Sequence, residues 1–471
     1  MEEQSYDLVV IGSGPAGQKA AIQASKLGKK VLVIEKDPDP GGNSLYSGTI
    51  PSKTFRESIL ALTRFYDSWA SATTPYNMAN FSISDLNNRL KNVIEDEKEV
   101  VLRQLRRNGV AILRGAARFE NPHLLSVWDH EEQLVGQVRA QFFVIATGSK
   151  PRNPSNVPFD GKIIHDSTSL LRLEAVPKSM LVLGGGIIGS EYASFFAALG
   201  TEVTVIDRKA NMLPILDTEI GTHLQTALTD IGLKFKGNME PTEIGIVDNR
   251  AFVCFKDGST LTADVLLYAL GRTANISALH VEQAGILTNE KGYVVVNALF
   301  QTSQTHIYAV GDVIGGPSLA STSMEQGRLA TRHAFGCEIH YFPTFYPIGI
   351  YTIPEISSCG YTEDELKELG MHYEVGRAYY YEIARSHIAG DNLAVGMFKL
   401  LFHAETREIL GVHVIGRNAT EVIHIGQLAA SYNAKIDFFV DQIFNYPTYA
   451  EGYRIAALNG LNKLHFDKVK K

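Results

Sequence analysis

Two stretches of the chain repeat one order of apolar and polar positions. An apolar run, Leu8 to Ile11, leads into a glycine-rich turn, a helical stretch and a β-branched run, Val31 to Ile34, that closes on Glu35. Further along, Met180 to Leu183, a second glycine turn, a second helical stretch and Val203 to Ile206 close in the same way on Asp207. Short apolar runs bounded by turns suit strands, and a helical period between two of them suits a crossover. The two copies share Ala21/Ala193, Leu27/Leu199, Gly28/Gly200, Val31/Val203 and Val33/Val205 in register. The pattern predicts a strand, a tight turn, a helix and a second strand, twice over.

The same reading continues beyond the repeats. Phe142 to Gly148 is a buried strand ending in a turn, and the proline-bearing Lys150-Pro151-Arg152-Asn153-Pro154 is a linker. Val265 to Thr273 echoes that strand-then-glycine segment, and Thr305 to Asp312 is another strand, delivering an acid at its carboxyl end. From Phe345 the pattern changes to strands at Phe398 to Phe402 and Ile409 to Ile415 and helices at Ala419 to Ala430 and Glu451 to Leu464, without a glycine fingerprint. Thr448 with Glu451 matches a capping box opening the last helix.

The turns carry the chemistry. Gly12-Ser13-Gly14-Pro15-Ala16-Gly17 and Gly184-Gly185-Gly186-Ile187-Ile188-Gly189 both read Gly-x-Gly-x-x-Gly. Such glycines close the turn and let the backbone approach a pyrophosphate at a helix N-terminus, while the acid at the end of the next strand accepts from a ribose. Two such devices predict two dinucleotides on one chain. A flavin with a nicotinamide is the usual pairing, because a flavin holds two electrons between half-reactions.

Composition narrows the class. At 471 residues, roughly three domains are expected from a rule of about 150 residues each. A net charge of -7 gives no basic footprint for nucleic acid and no polybasic patch for a membrane. Met1-Glu2-Glu3-Gln4 is acidic and lacks the features of a secretory leader, and no apolar stretch approaches the ~20 residues of a membrane helix. Cys254, Cys337 and Cys359 are far apart and signal neither disulfides nor a metal site, which fits a cytoplasmic, reducing compartment.

The segment Gly41-Gly42-Asn43-Ser44-Leu45-Tyr46-Ser47-Gly48-Thr49-Ile50-Pro51-Ser52-Lys53 resembles the redox-motif helix of the pyridine nucleotide-disulfide oxidoreductases, such as lipoamide dehydrogenase and glutathione reductase. The resemblance covers the whole chain. It implies an α/β fold with two Rossmann-like nucleotide-binding domains, one for FAD and one for NAD(P), and a C-terminal α+β dimerisation domain. The implied division is 1–152 for the first part of the FAD domain, 153–279 for the NAD(P) domain, 280–344 for the return to the FAD domain and 345–471 for dimerisation. Family disulfide reductases carry two cysteines where this chain has Ser44 and Thr49, and a catalytic histidine where it has Tyr446 in Tyr446-Pro447-Thr448-Tyr449-Ala450-Glu451. A hydroxyl forms no thiolate, and a phenol keeps its proton at neutral pH. Both halves of disulfide chemistry are therefore missing. That combination is similar to the soluble pyridine nucleotide transhydrogenase branch of the family, as are Tyr308 to Gly315, Gly349 to Ser358 and Ala456 to Asn462.

The resemblance implies that Gly12, Gly14 and Gly17 hold the FAD pyrophosphate and Glu35 its ribose, with Lys36, Gly41, Gly42, Ser44, Thr147, Gly148 and Asp312 lining the same cofactor. Lys53, beside the flavin, and Glu191 are implied as a pair that tunes the reaction. Gly184, Gly186, Gly189, Glu191, Asp207, Arg208 and Gly271 are implied for NAD(P). Asp207 favours NAD, whereas Arg208 and Lys209 directly after it either take the 2'-phosphate of NADP or stay solvated at a strand end. The expected activity is FAD-dependent, reversible, ping-pong hydride transfer between NADPH and NAD+, with NAD(H) and NADP(H) as substrates and a homodimer, or a higher homo-oligomer, as the working form. The rival readings are an NAD(P)H oxidase or diaphorase and a non-catalytic flavoprotein scaffold.

Overall fold

The computed structural model describes residues 4–69, 83–339, 342–391 and 395–469, so the acidic Met1-Glu2-Glu3 lies outside the described residues. Two compact units form. One comprises Met1–Phe55, Ser82–Asn153 and Gly271–Phe342, the other Arg56–Phe81, Pro154–Leu270 and Pro343–Lys471.

In the first unit the opening strand is Gln4–Ile11, the helix Pro15–Lys26 and the second strand Val31–Glu35. The sheet runs Ala111–Arg114, Val31–Glu35, Gln4–Ile11, Leu134–Ile145, Leu124–Trp128 and Ala116–Asn121, and Ile307–Ala309 pairs with Leu134–Ile145. Ile11 lies opposite both Ile34 and Ile145, and Ala309 opposite Ile145, in parallel register. Four strands therefore end together and deliver Gly12, Glu35, Ala146 and Val310 to one edge. Alternation sends successive side chains to opposite faces, so a strand covered on both sides must be apolar throughout. Val9, Ile11, Leu32, Ile34, Phe143 and Ile145 enter one core. Leu8, Val10, Val31, Val33 and Val144 enter the other, which Ala16, Ala20, Ala21 and Ala24 of the first helix close. These small residues allow helix Ala320–Ala334 to pack so tightly that a Cβ on Gly327 would stand 2.2 Å from the Ala16 carbonyl oxygen.

The second unit repeats the device with strand Ser179–Leu183, helix Ile187–Ala198 and strand Glu202–Ile206. Its parallel sheet runs Lys234–Lys236, Glu202–Ile206, Ser179–Leu183, Val265–Tyr268 and Ile164–His165. The C-terminal part is an antiparallel sheet in the order Ile348–Ile350, Ile356–Gly360, Ile409–Ile415, Met397–His403 and Tyr373–Tyr379. Phe398, Leu400 and Phe402 from its Met397–His403 strand share a core with Ile423 of helix Ala419–Ser431 and Tyr453 of helix Glu451–Val469. The expected capping box does not form. The Thr448 hydroxyl donates to the Asn445 carbonyl at 2.7 Å, and the helix opens only at Glu451, so Thr448 stands too far ahead of it to cap.

One buried charge organises this unit. Lys399 is 1% exposed, and its Nζ meets Asp217 at 2.8 Å, Glu219 at 2.9 Å and Glu363 at 2.6 Å. Asp217 is also the N-cap of helix Thr218–Asp230 and accepts from the Glu363 amide at 3.0 Å. Arg377 grips both oxygens of Glu219 at 2.7 and 2.8 Å. Burial by itself pushes these carboxyls up, but hydrogen bonds from Lys399, and at Glu219 first from Arg377, outweigh it. Asp217 and Glu219 end below the usual carboxylate range and Glu363 at about 2.

Carboxyls with depressed folded values stabilise the fold above their unfolded values, and this stability is lost as pH falls through the folded ones. Lys399→Met, which leaves buried Asp217 without its cation and takes one from Glu219 and Glu363, is expected to cost on the order of 3–5 kcal/mol at neutral pH. The gap to the wild type should close as pH drops from about 4.5 toward about 2, and urea unfolding across that range measures it.

Candidate functional site

The two glycine turns superimpose in their bonding. Gly12 N donates to the Ile34 carbonyl at 2.9 Å and Gly184 N to the Ile206 carbonyl at 2.8 Å. Gly12 and Gly184 have φ of 98° and 109°, and a Cβ on either would stand 2.5 or 2.7 Å from the carbonyl oxygen of Ala146 or Ala269. Third in each motif, Gly17 and Gly189 leave no room at all, because a Cβ would lie 1.9 Å from the carbonyl oxygen of Gly12 or Gly184. The middle glycines, Gly14 and Gly186, are different. They cap the two helices without a side-chain cap, and a Cβ there meets nothing within 4 Å. The backbone is thus crowded where it must close and bare at the first-turn amides, the end of a helix that suits an anion such as a pyrophosphate.

The acids lock onto the turns. Glu35 Oε2 accepts from Ser13 N at 2.9 Å and Ser13 Oγ at 2.5 Å, and Asp207 Oδ2 accepts from Gly185 N at 2.7 Å. Each also accepts from the amide two residues on, Asp37 at 3.0 Å or Lys209 at 2.8 Å. Lys36, Arg208 and Lys209 are exposed beside them.

In the first unit the structure brings most of the expected flavin residues together. Ser13 Oγ accepts from Gly41 N at 3.0 Å, and a Cβ on Gly42 would stand 2.8 Å from Gly14 Cα, so the Gly41-Gly42 turn lies on the fingerprint. Asn43, next to Ser44 on helix Gly42–Tyr46, donates to the Ser149 carbonyl. Ser149 Oγ donates to Asp312 at 2.7 Å and accepts from Arg272 Nε at 2.8 Å. Asp312 follows the strand end in the turn Gly311–Ile314. Thr147 Oγ1 is buried without a hydrogen-bond partner, and Gly148 beside it adopts a φ of 67° over open space. An orphaned hydroxyl at the strand edge next to a bare backbone fits a polar ligand such as FAD. Ser13, Asn43, Ser149 and Arg272 escaped sequence reasoning. Ser13 is a variable position of the motif, and the others act through contacts distant in the chain.

Lys53 is half-buried on helix Thr49–Trp69, with its Nζ 3.3 Å from Ser52 Oγ. Glu191, in the second unit, is buried on the fingerprint helix and accepts from the Tyr351 amide at 2.9 Å. The Ile353 amide bonds to Ser194 Oγ at 3.1 Å, so the Gly349 to Ser358 stretch is anchored on that helix. Gly271 falls in the first unit, where its carbonyl accepts from Arg152 N at 3.1 Å. Cys254, Cys337 and Cys359 are free thiols outside the Gly41 to Lys53 segment, and burial pushes Cys359 up to about 12. Among the described residues no group of metal-ligating side chains occurs, and no helix is long and apolar enough to cross a membrane.

Comparison with known proteins gives the family. The profile of the pyridine nucleotide-disulphide oxidoreductases matches residues 6–327, and that of the family's dimerisation domain residues 346–457. The chain belongs to this family. Family relatives include a soluble pyridine nucleotide transhydrogenase of Mycobacterium bovis (strain BCG / Pasteur 1173P2), 43% identical over 461 residues, 98% of each chain. Another, from Escherichia coli O81 (strain ED1a), is 42% identical over 463 residues, again 98% of each. Among solved structures, the HOCl-induced flavoprotein disulfide reductase RclA from Escherichia coli matches with a TM-score of 0.86 at 27% identity, covering 96% of this chain and 99% of that one. LpdA from Mycobacterium tuberculosis matches with a TM-score of 0.88 at 24% identity over 96% and 99%, a likeness of fold. The family uses FAD.

Gly17→Ala is expected to yield colourless protein, and Gly189→Ala yellow protein that NADPH no longer bleaches. Gly14→Ala and Gly186→Ala, which clash with nothing, should fold with normal stability but bind their nucleotide on the order of tenfold or more weaker. Absorbance at the flavin band and nucleotide titration measure both effects.

Proposed function

We propose that the chain is a flavoenzyme transferring hydride reversibly between NADPH and NAD+ by a ping-pong mechanism. Three side chains carry this reading. Ser44, Thr49 and Tyr446 stand where thiol chemistry needs two cysteines and a histidine, while both nucleotide turns are complete. The 42–43% identity to transhydrogenases over 98% of the chain supports the same conclusion.

When bound, FAD supplies a two-electron carrier between the half-reactions. Gly12, Gly14, Gly17 and Glu35 hold its dinucleotide body, and Lys36, Gly41, Gly42, Ser44, Thr147, Gly148 and Asp312 line it. Lys53 places a cation near the ring, and Glu191 is its counter-ion. Gly184, Gly186 and Gly189 present first-turn amides to the nicotinamide nucleotide, Asp207 takes its adenosine ribose, Arg208 the 2'-phosphate where there is one, and Gly271 edges the pocket. Hydride moves without a separate proton, so no general acid or base is demanded of Tyr446. Orientation and charge are the protein's contribution.

The working form we propose is a cytoplasmic homodimer, divided 1–152, 153–279, 280–344 and 345–471. A dimerisation-domain match and the exposed Leu428, Tyr432, Phe438, Ile443, Tyr446 and Leu458 support the dimer. Three free cysteines suit a reducing compartment.

Anaerobic mixing of the yellow protein with NADPH and thio-NAD+ tests the activity. Rapid formation of reduced thio-NAD, lowered on the order of 10²-fold in Lys53→Ala with FAD retained, is expected. Bleaching without thio-NAD reduction would point to oxygen or a quinone as acceptor, and no bleaching to a scaffold.

A further inference from the structure

The second nucleotide site has a rim that sequence motifs do not reach. The segment after strand Lys234–Lys236 wraps the residues following Asp207. Asp207 N donates to the Lys236 carbonyl at 3.1 Å, Asn238 N to the Lys209 carbonyl at 3.2 Å and Met239 N to the Asp207 carbonyl at 3.0 Å. The approach is so close that a Cβ on Gly237 would stand 2.7 Å from the Ala210 carbonyl oxygen and 2.8 Å from that of Lys209. Asn238, with φ of 57°, completes the bend. Because Met239 N bonds to the Asp207 carbonyl, this wrapping brings the backbone of Glu240, the next residue, beside the chain at Asp207 and Arg208. Glu240 Oε2 is fixed by Lys256 Nζ at 2.7 Å, from strand Arg250–Phe255's following turn. Lys256 first and Arg208 as a further cation hold the Glu240 carboxyl below its usual range, so the carboxylate stays charged at neutral pH.

A carboxylate in the field of Arg208 does electrostatically what a 2'-phosphate does there. We propose that Glu240 is a specificity-determining residue of the nicotinamide-nucleotide site, an internal anion that neutralises Arg208 when NAD(H) is bound and opposes the 2'-phosphate of NADP(H). Resting on the proposed transhydrogenase reading, this accounts for one pocket serving both nucleotides. Arg208 without a counter-anion would retain the phosphorylated nucleotide and slow its exchange. Asp207, already committed to Gly185 N and Lys209 N, serves the ribose hydroxyl common to the unphosphorylated form.

Binding of 2',5'-ADP and of 5'-AMP to the FAD-loaded, full-length protein tests this by calorimetry at low salt. Glu240→Gln is expected to lower the Kd of 2',5'-ADP about three- to fivefold relative to that of 5'-AMP, an effect sized for exposed charge pairs. Raising ionic strength should erase the gain, and in an Arg208→Met background Glu240→Gln should change nothing. Normal binding of both ligands with an unchanged ratio in Glu240→Gln, or the same change without Arg208, would overturn the proposal while leaving the transhydrogenase reading in place. Failure of the wild type to bind either ligand would overturn both.

Discussion

Everything the two nucleotide turns do depends on a backbone contact too close for any side chain. At Gly17 and Gly189 the helix presses against the carbonyl of the glycine that opens the turn, and a single added carbon would stand 1.9 Å from that oxygen. This contact aims the helix N-terminus at the strand edge and pins the turn beneath it. The acid at the end of the neighbouring strand then reaches the loop amide, Ser13 in one copy and Gly185 in the other. Because the crowding is the same in both units, the geometry follows from the glycine spacing and not from the surrounding domain.

Large parts of this were legible in the amino-acid order. Backbone constraints write themselves locally: a glycine is required wherever φ is positive or a carbonyl intrudes, and a run such as Leu8 to Ile11 must be apolar when both faces are covered. Hence the strands, the fingerprints, Glu35 and Asp207 could be read directly. Interactions between distant segments could not. Lys399 reaches Asp217 across the chain, and Ser149 joins Asn43 to Asp312, without any pattern that marks them. Thr448 and Glu451 show the opposite error, a local motif outcompeted when the hydroxyl finds the Asn445 carbonyl and the helix begins late.

What the chain lacks is as informative as what it has, because the missing groups act together in one chemistry. A thiol pair without its histidine, or the reverse, would leave a partial reductase. Here Ser44, Thr49 and Tyr446 remove both, while both glycine turns keep all their glycines. Such a site retains orientation and electrostatics, which are the contributions hydride transfer asks of a protein.

The central claim is that one nicotinamide site serves both nucleotides in turn. A steady-state rate matrix varying NADPH against thio-NAD+ tests it most directly. Parallel double-reciprocal lines, with each nucleotide inhibiting competitively against the other at high concentration, are the predicted result. Lines that intersect would mean that both nucleotides are bound at once, and would contradict the account.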